Sequence, residues 1–267
     1  MKRRVLTKLW RLKHALEGKK GLRRYWLKSL KRLPSVDFRA IYDKFDVPIL
    51  ALDCGQKCAP FNPSGKPFCC DICHAVPAAY DQEWAYLQPR TDLWHAWRGD
   101  ECSTESAEPE DLRAETAENM VLLACQGPAL CQRDFRALSC RQFPFFPYIT
   151  ADYAFIGLAY EWAFESTCWV ISHLQNVTPA YRTAFVHTFD ELFSLWPEEM
   201  EGYALKSEQM RADFAVAKRR IPILHRNGKD YLLSPGSERL RRAPRQAWPR
   251  FGPYRQAGPD DSSPDEG

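Results

Sequence analysis

The sequence has no long apolar run. A membrane-spanning helix needs about 18 or more consecutive apolar residues, and the nearest approach, AFIGLAYEWAF at 154–164, is interrupted by Glu161. The N-terminus also lacks the uninterrupted apolar core of a secretory signal, because lysine or arginine recurs every few residues. We therefore expect a cytoplasmic protein without a transmembrane segment, whose thiols stay reduced.

The sequence also lacks the short motifs of several enzyme classes. It contains no G-x-S-x-G, no H-E-x-x-H, no P-loop and no glycine-rich loop for S-adenosylmethionine. Asp71, Glu83 and Glu161 are acidic residues near the cysteine cluster and are candidate general bases. Surface solvation is the commoner role of such side chains, so we assign no catalytic residue and favour a protein that is not an enzyme.

Negative charge is scarce in the first 33 residues. That segment carries 13 lysines and arginines against the single acid Glu17, a charge of +12, so the net charge of +3 leaves −9 for the rest. Its leucines and tryptophans recur at helical spacing, which predicts a basic amphipathic segment. This pattern is typical of segments that bind an anionic membrane surface or nucleic acid. In the first case the protein would lie peripheral to the membrane. Alternatively, the segment is solvated or packs on the acidic remainder.

The 267 residues allow one core domain of about 150–200 residues with flanks. We predict an α+β fold with an irregular cysteine-rich core, short strands, a helical C-terminal layer and a terminal β-hairpin. The predicted divisions are 1–34 for the basic segment, 35–175 for the cysteine-rich domain, 176–235 for the helices and hairpin, and 236–267 for a disordered tail rich in proline, arginine and aspartate.

Several elements follow from local patterns. Residues 78–88 and 111–120 predict helices, and 121–125 a buried strand. A long helical pattern begins after Thr178 as N-cap, with Pro179 in the first turn, and Pro197 divides it. Residues 221–233 predict a hairpin that turns at Asn227-Gly228.

Cysteine is abundant, with ten residues in the chain and five of them in CGQKCAPFNPSGKPFCCDICH at 54–74. Cys54-x3-Cys58 and Cys70-x2-Cys73 each allow one turn to present two sulfurs, and Pro and Gly between the pairs allow the chain to double back. Thiolates that converge from short loops are the ligands of Zn²⁺ and of iron–sulfur clusters. Disulfides and inert buried thiols are the alternatives, and we expect Cys102, in a polar acidic loop, to lie apart.

Residues 70–74 also match C-x-x-C-H, the c-type haem attachment signature. Covalent haem attachment normally takes place outside the cytoplasm, and the remaining cysteines would then have no role. We therefore interpret His74 as a ligand of a mixed metal site or as a group that hydrogen-bonds to a ligand.

The segment SCRQFPF at 139–145 resembles the YkgJ-type cysteine-cluster family, described as zinc- or iron-chelating. The resemblance covers about residues 50–175. The family pattern has an N-terminal cysteine cluster, two spaced cysteines, a CRxFPF segment and a last cysteine. The early cluster here departs from it, reading C-x3-C-x10-C-C-x2-C, so which of its five cysteines are ligands stays open. The resemblance and the spacing together imply these metal ligands: Cys54, Cys58, Cys69, Cys70, Cys73, Cys125, Cys131, Cys140 and Cys168.

Two features beside Cys140 support a site. Arg141 is predicted to bind the cofactor, by neutralising thiolate charge or by donating hydrogen bonds to sulfur. The Phe–Pro run at 143–147 would form a dry wall, although it could equally be plain core. Ligand type does not distinguish zinc from an iron–sulfur cluster, nor one centre from two.

The predicted function is therefore a metal-binding protein that holds zinc or an iron–sulfur cluster. One alternative is an iron–sulfur-containing protein-modifying enzyme, since related cysteine clusters occur in the flagellin lysine N-methylase. The other alternative is a redox sensor that cycles Cys69-Cys70 or Cys70-x-x-Cys73 between thiol and disulfide.

Overall fold

The computed structural model describes residues 34–102, 109–243 and 248–255. The chain divides between Ser35 and Val36, and the elements below all belong to the unit that begins at Val36. The predictions for residues 1–33, and for the tail beyond residue 255, lie outside the described residues.

The regular elements are short except for two helices. The α-helices are α1 (Phe38–Lys44), α2 (Cys54–Cys58), α3 (Asp81–Leu87), α4 (Pro109–Glu115), α5 (Leu138–Gln142), α6 (Pro179–Leu195) and α7 (Pro197–Val216). The strands are β1 (Ala78–Tyr80), β2 (Trp94–Ala96), β3 (Met120–Cys125), β4 (Phe145–Ile149), β5 (Phe155–Tyr160), β6 (Ile221–His225), β7 (Asp230–Leu233) and β8 (Leu240–Arg242). Single 3₁₀ turns connect many of them.

The predicted boundaries of the two long helices are confirmed. Thr178 caps α6, because its hydroxyl accepts a hydrogen bond from the backbone N–H of Tyr181 at 3.2 Å. Pro197 begins α7 directly after the bend at Trp196, since proline fits the first turn of a helix but not its interior. Each long helix thus starts at a residue that the sequence marks as a start.

Two antiparallel sheets form the β-structure. The smaller has the order β1-β3-β2, with Trp94 opposite Cys125 at one end of β3. The larger has the order β4-β5-β6-β7-β8. Gly157 in β5 has φ +150°, and a Cβ atom there would overlap the carbonyl oxygen of Leu224 in β6. Only glycine therefore allows β5 and β6 to approach this closely.

The long helices and the larger sheet enclose the core. Ser207 of α7 accepts a hydrogen bond from the backbone N–H of Ile149 in β4 at 3.0 Å, which fixes the helix on the sheet. The largest fully buried side chains are mostly aromatic: Trp196, Tyr148, Tyr160, Tyr181, Phe38, Phe45, Phe145, Phe146, Phe185, Phe189 and Phe214. Phe145 and Phe146 of the Phe–Pro run therefore belong to this core.

The α+β class and the hairpin are confirmed, and β6 and β7 pair as predicted with Gly228 at φ +78° in the turn. Two details differ. The larger sheet joins β4–β5 to β6–β8 across residue 175, where a division was predicted. Strand β8 and residues 248–255 are ordered, although disorder was predicted from residue 236. Among the helices in the described ranges, none is both long and apolar enough to cross a bilayer.

Candidate functional site

Eight cysteines are free thiols in the structure: Cys54, Cys58, Cys69, Cys70, Cys125, Cys131, Cys140 and Cys168. They come from separate segments. Cys54 and Cys58 begin and end α2, whose cap is Asp53, with a hydrogen bond of 2.9 Å from the backbone N–H of Gly55. Because positions four apart share a face of a helix, one turn presents both thiols on one side.

Cys69 and Cys70 lie in a 3₁₀ turn, and the loop that carries them is fixed by a buried carboxylate. Asp71 accepts hydrogen bonds from Ser64 at 2.7 Å, from Asn62 at 3.0 Å and from the backbone N–H of Cys73 at 3.1 Å. Burial acts to raise the pKa of Asp71, but these hydrogen bonds outweigh it and lower that pKa. Asp71 is therefore an ionised structural acceptor, which makes it a poor general base.

The thiols of the early cluster affect one another electrostatically. Burial raises the pKa of Cys54 to about 11, and the charge of Cys58 adds to this increase. Burial likewise raises the pKa of Cys168 to about 12, with further contributions from Cys54 and Cys58. Ionising one of these three thiols thus opposes ionising the next, although more than 100 residues of sequence separate Cys168 from α2.

The thiols of the later set are coupled in the same way and share Cys70 with the early cluster. Burial raises the pKa of Cys140, and the charges of Cys70, Cys125 and Cys131 raise it further. Cys69 and Cys70 have their sulfurs 3.9 Å apart, and the hydrogen bond between them lowers the pKa of Cys70. Pairwise electrostatic influence therefore links all eight free thiols, and we call them together the thiol group.

A cation that the sequence did not single out lies at the thiol group. Arg136 donates from Nε to the sulfur of Cys131 at 3.1 Å. Its charge also acts to lower the pKa of Cys70 and of Cys140. The sequence pointed to Arg136 only through its position between Cys131 and Cys140.

Arg141, which was predicted to bind the cofactor, has a different role. Its side chain is only 4% exposed and donates to the carbonyl oxygens of Phe45 at 2.9 Å, Asp134 at 2.8 Å and Arg136 at 2.9 Å. The guanidinium also lies 4.2 Å from the ring centroid of Tyr42. These contacts make Arg141 a clamp on the loop that carries Cys131 and Arg136, and they correct the prediction that it donates to sulfur.

Cys73 and Cys102 are joined in a disulfide across 29 residues of sequence. This pairing differs from three expectations: that thiols stay reduced, that Cys73 is a metal ligand, and that Cys102 lies apart. It also occupies a cysteine that covalent haem attachment at 70–74 would need. His74 is 40% exposed, with Nε2 4.0 Å from the carboxylate of Asp71 and its ring 4.9 Å from that of Phe68.

The remaining candidate bases are occupied by structural contacts. Glu83 is fully buried and accepts hydrogen bonds from the hydroxyl of Tyr42 at 2.5 Å and from the backbone N–H groups of Leu138 at 2.5 Å and Tyr80 at 3.2 Å. Burial raises the pKa of Glu83 to about 7. Glu161 forms an ion pair with Lys206. Neither carboxylate is presented to a substrate in this arrangement.

The donor chemistry of the thiol group fits a thiophilic metal, but the sulfurs are not assembled around one point. The 3.9 Å between Cys69 and Cys70 matches the distance of about 3.5–4 Å between two sulfurs on tetrahedral zinc. Across the described residues, however, no group of three or more His, Cys, Asp or Glu side chains is placed to hold a metal ion. The predicted convergence to bonding distance is therefore not observed.

Comparisons of the chain with protein-family models, with curated proteins and with solved structures found no match.

Proposed function

We propose that the protein binds a thiophilic metal, zinc or an iron–sulfur cluster, through its thiol group, and that it is related to the YkgJ-type cysteine-cluster family. The observation that carries the proposal is the collection of eight free thiols from distant segments into one coupled group, with Arg136 hydrogen-bonded to one sulfur. Thiols whose neighbours oppose their ionisation become stable thiolates when a metal ion binds, because the ion neutralises their charge.

Metal binding would require local rearrangement of the side chains. A cysteine sulfur moves by rotation about one bond, and the sulfurs of the thiol group would have to converge by such rotations and by shifts of the loops that carry them. The metal would supply either a fixed tetrahedral node, as zinc does, or an electron-transfer centre, as an iron–sulfur cluster does. In both cases the protein contributes the thiolates and the charge of Arg136.

Anaerobic purification of the full chain, followed by elemental analysis and a visible spectrum, tests the proposal. Iron with acid-labile sulfide and a broad absorption band in the visible range would identify a cluster. Colourless protein with stoichiometric zinc would identify a zinc centre. Protein without bound metal after anaerobic purification and reconstitution would contradict the proposal.

Arg136→Gln is expected to weaken metal binding while leaving the fold intact. The variant removes the charge and the hydrogen bond at Cys131, and loss of such a partner of a ligand typically costs about 10–100-fold in metal affinity. Competition with a chromophoric chelator measures the change. Arg133→Gln is the matched control, because Arg133 lies in the same loop and pairs with Asp46 at the surface. Equal affinities in both variants would remove Arg136 from the site.

A redox role is a second candidate, favoured by the Cys73–Cys102 disulfide and by the contact between Cys69 and Cys70. In this proposal a disulfide near the thiol group forms and breaks with the surrounding redox potential. Alkylation mapping of protein equilibrated at defined glutathione potentials would test it. A Cys73–Cys102 pair that stays oxidised at every potential down to that of the cytosol would be structural only.

The basic segment 1–33 leads to a separate prediction about partners. We expect the full chain to co-sediment with anionic vesicles and not with neutral vesicles, because each basic residue near an anionic surface contributes roughly 1 kcal/mol. Added salt should release the protein. A chain that begins at Ser35 should lose vesicle binding and keep its metal. Equal binding by both chains would show that the segment is not the anchor, and binding to nucleic acid is measured in parallel.

A further inference from the structure

The last described stretch of the chain, residues 248–255, lies against the segment around Cys168. We call this stretch the C-terminal strap. The backbone N–H of Phe251 donates to the hydroxyl of Ser172 at 2.9 Å. The hydroxyl of Tyr254 donates to the carbonyl oxygen of Thr167 at 3.0 Å, directly before Cys168 in the chain. The strap is thus attached on both sides of that cysteine.

The same strap contacts the segment around Cys58. The ring of Tyr254 lies edge-to-face with that of Phe61, with 5.4 Å between the centroids, and Phe61 ends the 3₁₀ turn that follows Cys58. Tyr254 itself is only 5% exposed, so its ring is buried between the segment that follows Cys58 and the segment that carries Cys168.

The strap is shaped for this position by a glycine. Gly252 has φ +53°, a backbone conformation that side-chain-bearing residues rarely adopt. A Cβ atom there would also overlap the carbonyl oxygen of Ser166, two residues before Cys168. Any other residue at 252 would have to lift the strap away from this segment.

We propose that the C-terminal strap covers the side of the thiol group formed by Cys58 and Cys168, and that it controls how fast metal ions and thiol reagents reach these sulfurs. Control of metal exchange rests on the proposed metal-binding function, whereas control of reagent access does not. The strap is attached to Thr167 and Ser172, which flank Cys168, and to Phe61, which follows Cys58. It therefore connects two segments that are far apart in the sequence. Displacing it should expose that side of the thiol group selectively.

Labelling of individual cysteines in the full-length protein tests the proposal. Wild type, Gly252→Ala and Tyr254→Ala are treated with iodoacetamide as purified under argon, and peptide mass spectrometry follows each cysteine. We expect Cys58 and Cys168 to react about tenfold faster in both variants, while Cys125 and Cys131 change less than about twofold. Gly228→Ala is the matched control, since Gly228 also has positive φ but has no atom within 4 Å of the added Cβ.

Unchanged rates at Cys58 and Cys168 in both variants would overturn the proposal. Equal acceleration at all free cysteines would also overturn it, because the strap would then support the whole fold rather than cover one side. Metal content is determined on the same samples. Wild-type protein without metal would refute the metal-binding function, while the labelling pattern would still decide whether the strap is a cover.

Discussion

Replacing Cys140 with serine is expected to reduce bound metal to near zero and to lower the yield of soluble protein. Cys140 lies in α5, and the charges of Cys70, Cys125 and Cys131 raise the pKa of its thiol. These partners come from more than one turn of the chain. A serine hydroxyl is a poor ligand for metals that prefer thiolate. Because structural metal binding contributes to folding free energy, loss of metal and loss of yield should occur together. Elemental analysis of matched preparations measures the first effect.

The double variant Cys73→Ser/Cys102→Ser provides the control for this experiment. It removes two sulfurs that are joined to each other rather than free. We expect it to keep its metal, while losing about 3 kcal/mol of stability if the disulfide is formed in the preparation. Unchanged metal stoichiometry in Cys140→Ser would exclude Cys140 as a ligand. Loss of metal in the double variant would instead return Cys73 to the ligand set.

Glu83→Ala is expected to destabilise the protein by about 4 kcal/mol, since removal of one partner from a buried polar network typically costs this much. The variant leaves three donors without an acceptor: the hydroxyl of Tyr42 and the backbone N–H groups of Tyr80 and Leu138. These donors belong to segments far apart in the chain, so the loss of their shared acceptor should weaken the packing between those segments. Urea unfolding followed by tryptophan fluorescence gives the free energy of unfolding.

The contribution of Glu83 should also depend on pH in a defined direction. Its pKa of about 7 in the folded protein lies above the ordinary value of 4.5, because burial disfavours the charged form. The folded state therefore binds this proton more tightly, so the contribution is complete below pH 4.5 and is lost as pH rises through 7. The shift corresponds to roughly 3 kcal/mol between these limits.

Glu83→Gln separates this effect from other titrations. Glutamine does not ionise, so the stability advantage of wild type over Glu83→Gln should shrink between pH 5 and pH 8. Exposed Glu118 provides the control, and Glu118→Gln should follow the wild-type pH profile. If the curves for wild type and Glu83→Gln run parallel across this range, Glu83 does not titrate there and the explanation by burial is wrong.

Local patterns predicted the two long helices and the hairpin, because the starts and turns of these elements depend on neighbouring residues. Local backbone chemistry determines where three elements begin or turn: α6 at Thr178, α7 at Pro197 and the hairpin at Asn227-Gly228. Each has the predicted place in the structure. Single turns that follow no periodicity, such as Phe68–Cys70, could not be assigned in this way. The spacing of the cysteines marks these turns only indirectly.

Long-range pairings were beyond the sequence. Arg136 and Arg141 both lie within five residues of a cysteine in the sequence. Only the fold determines that Arg136 donates to sulfur, whereas Arg141 donates to carbonyl oxygens. The sequence marked Glu83 only as a candidate general base, while its hydrogen-bond partner Tyr42 is 41 residues away. The polar surroundings of Cys102 suggested solvent exposure and gave no sign of its partner. The tail composition predicted disorder, yet buried Trp248 and Tyr254 fix part of it.

The Arg141 clamp has a consequence for the thermodynamics of ligand capture. Its guanidinium gathers carbonyl groups from the loop that carries Cys131 and from the end of α1, so that loop is immobilised by fixed protein dipoles. A ligand that arrives at Cys131 therefore meets a segment whose backbone entropy was already lost on folding. If the proposed metal binds there, less of its association free energy is needed to order the chain, and preorganisation would contribute to its affinity.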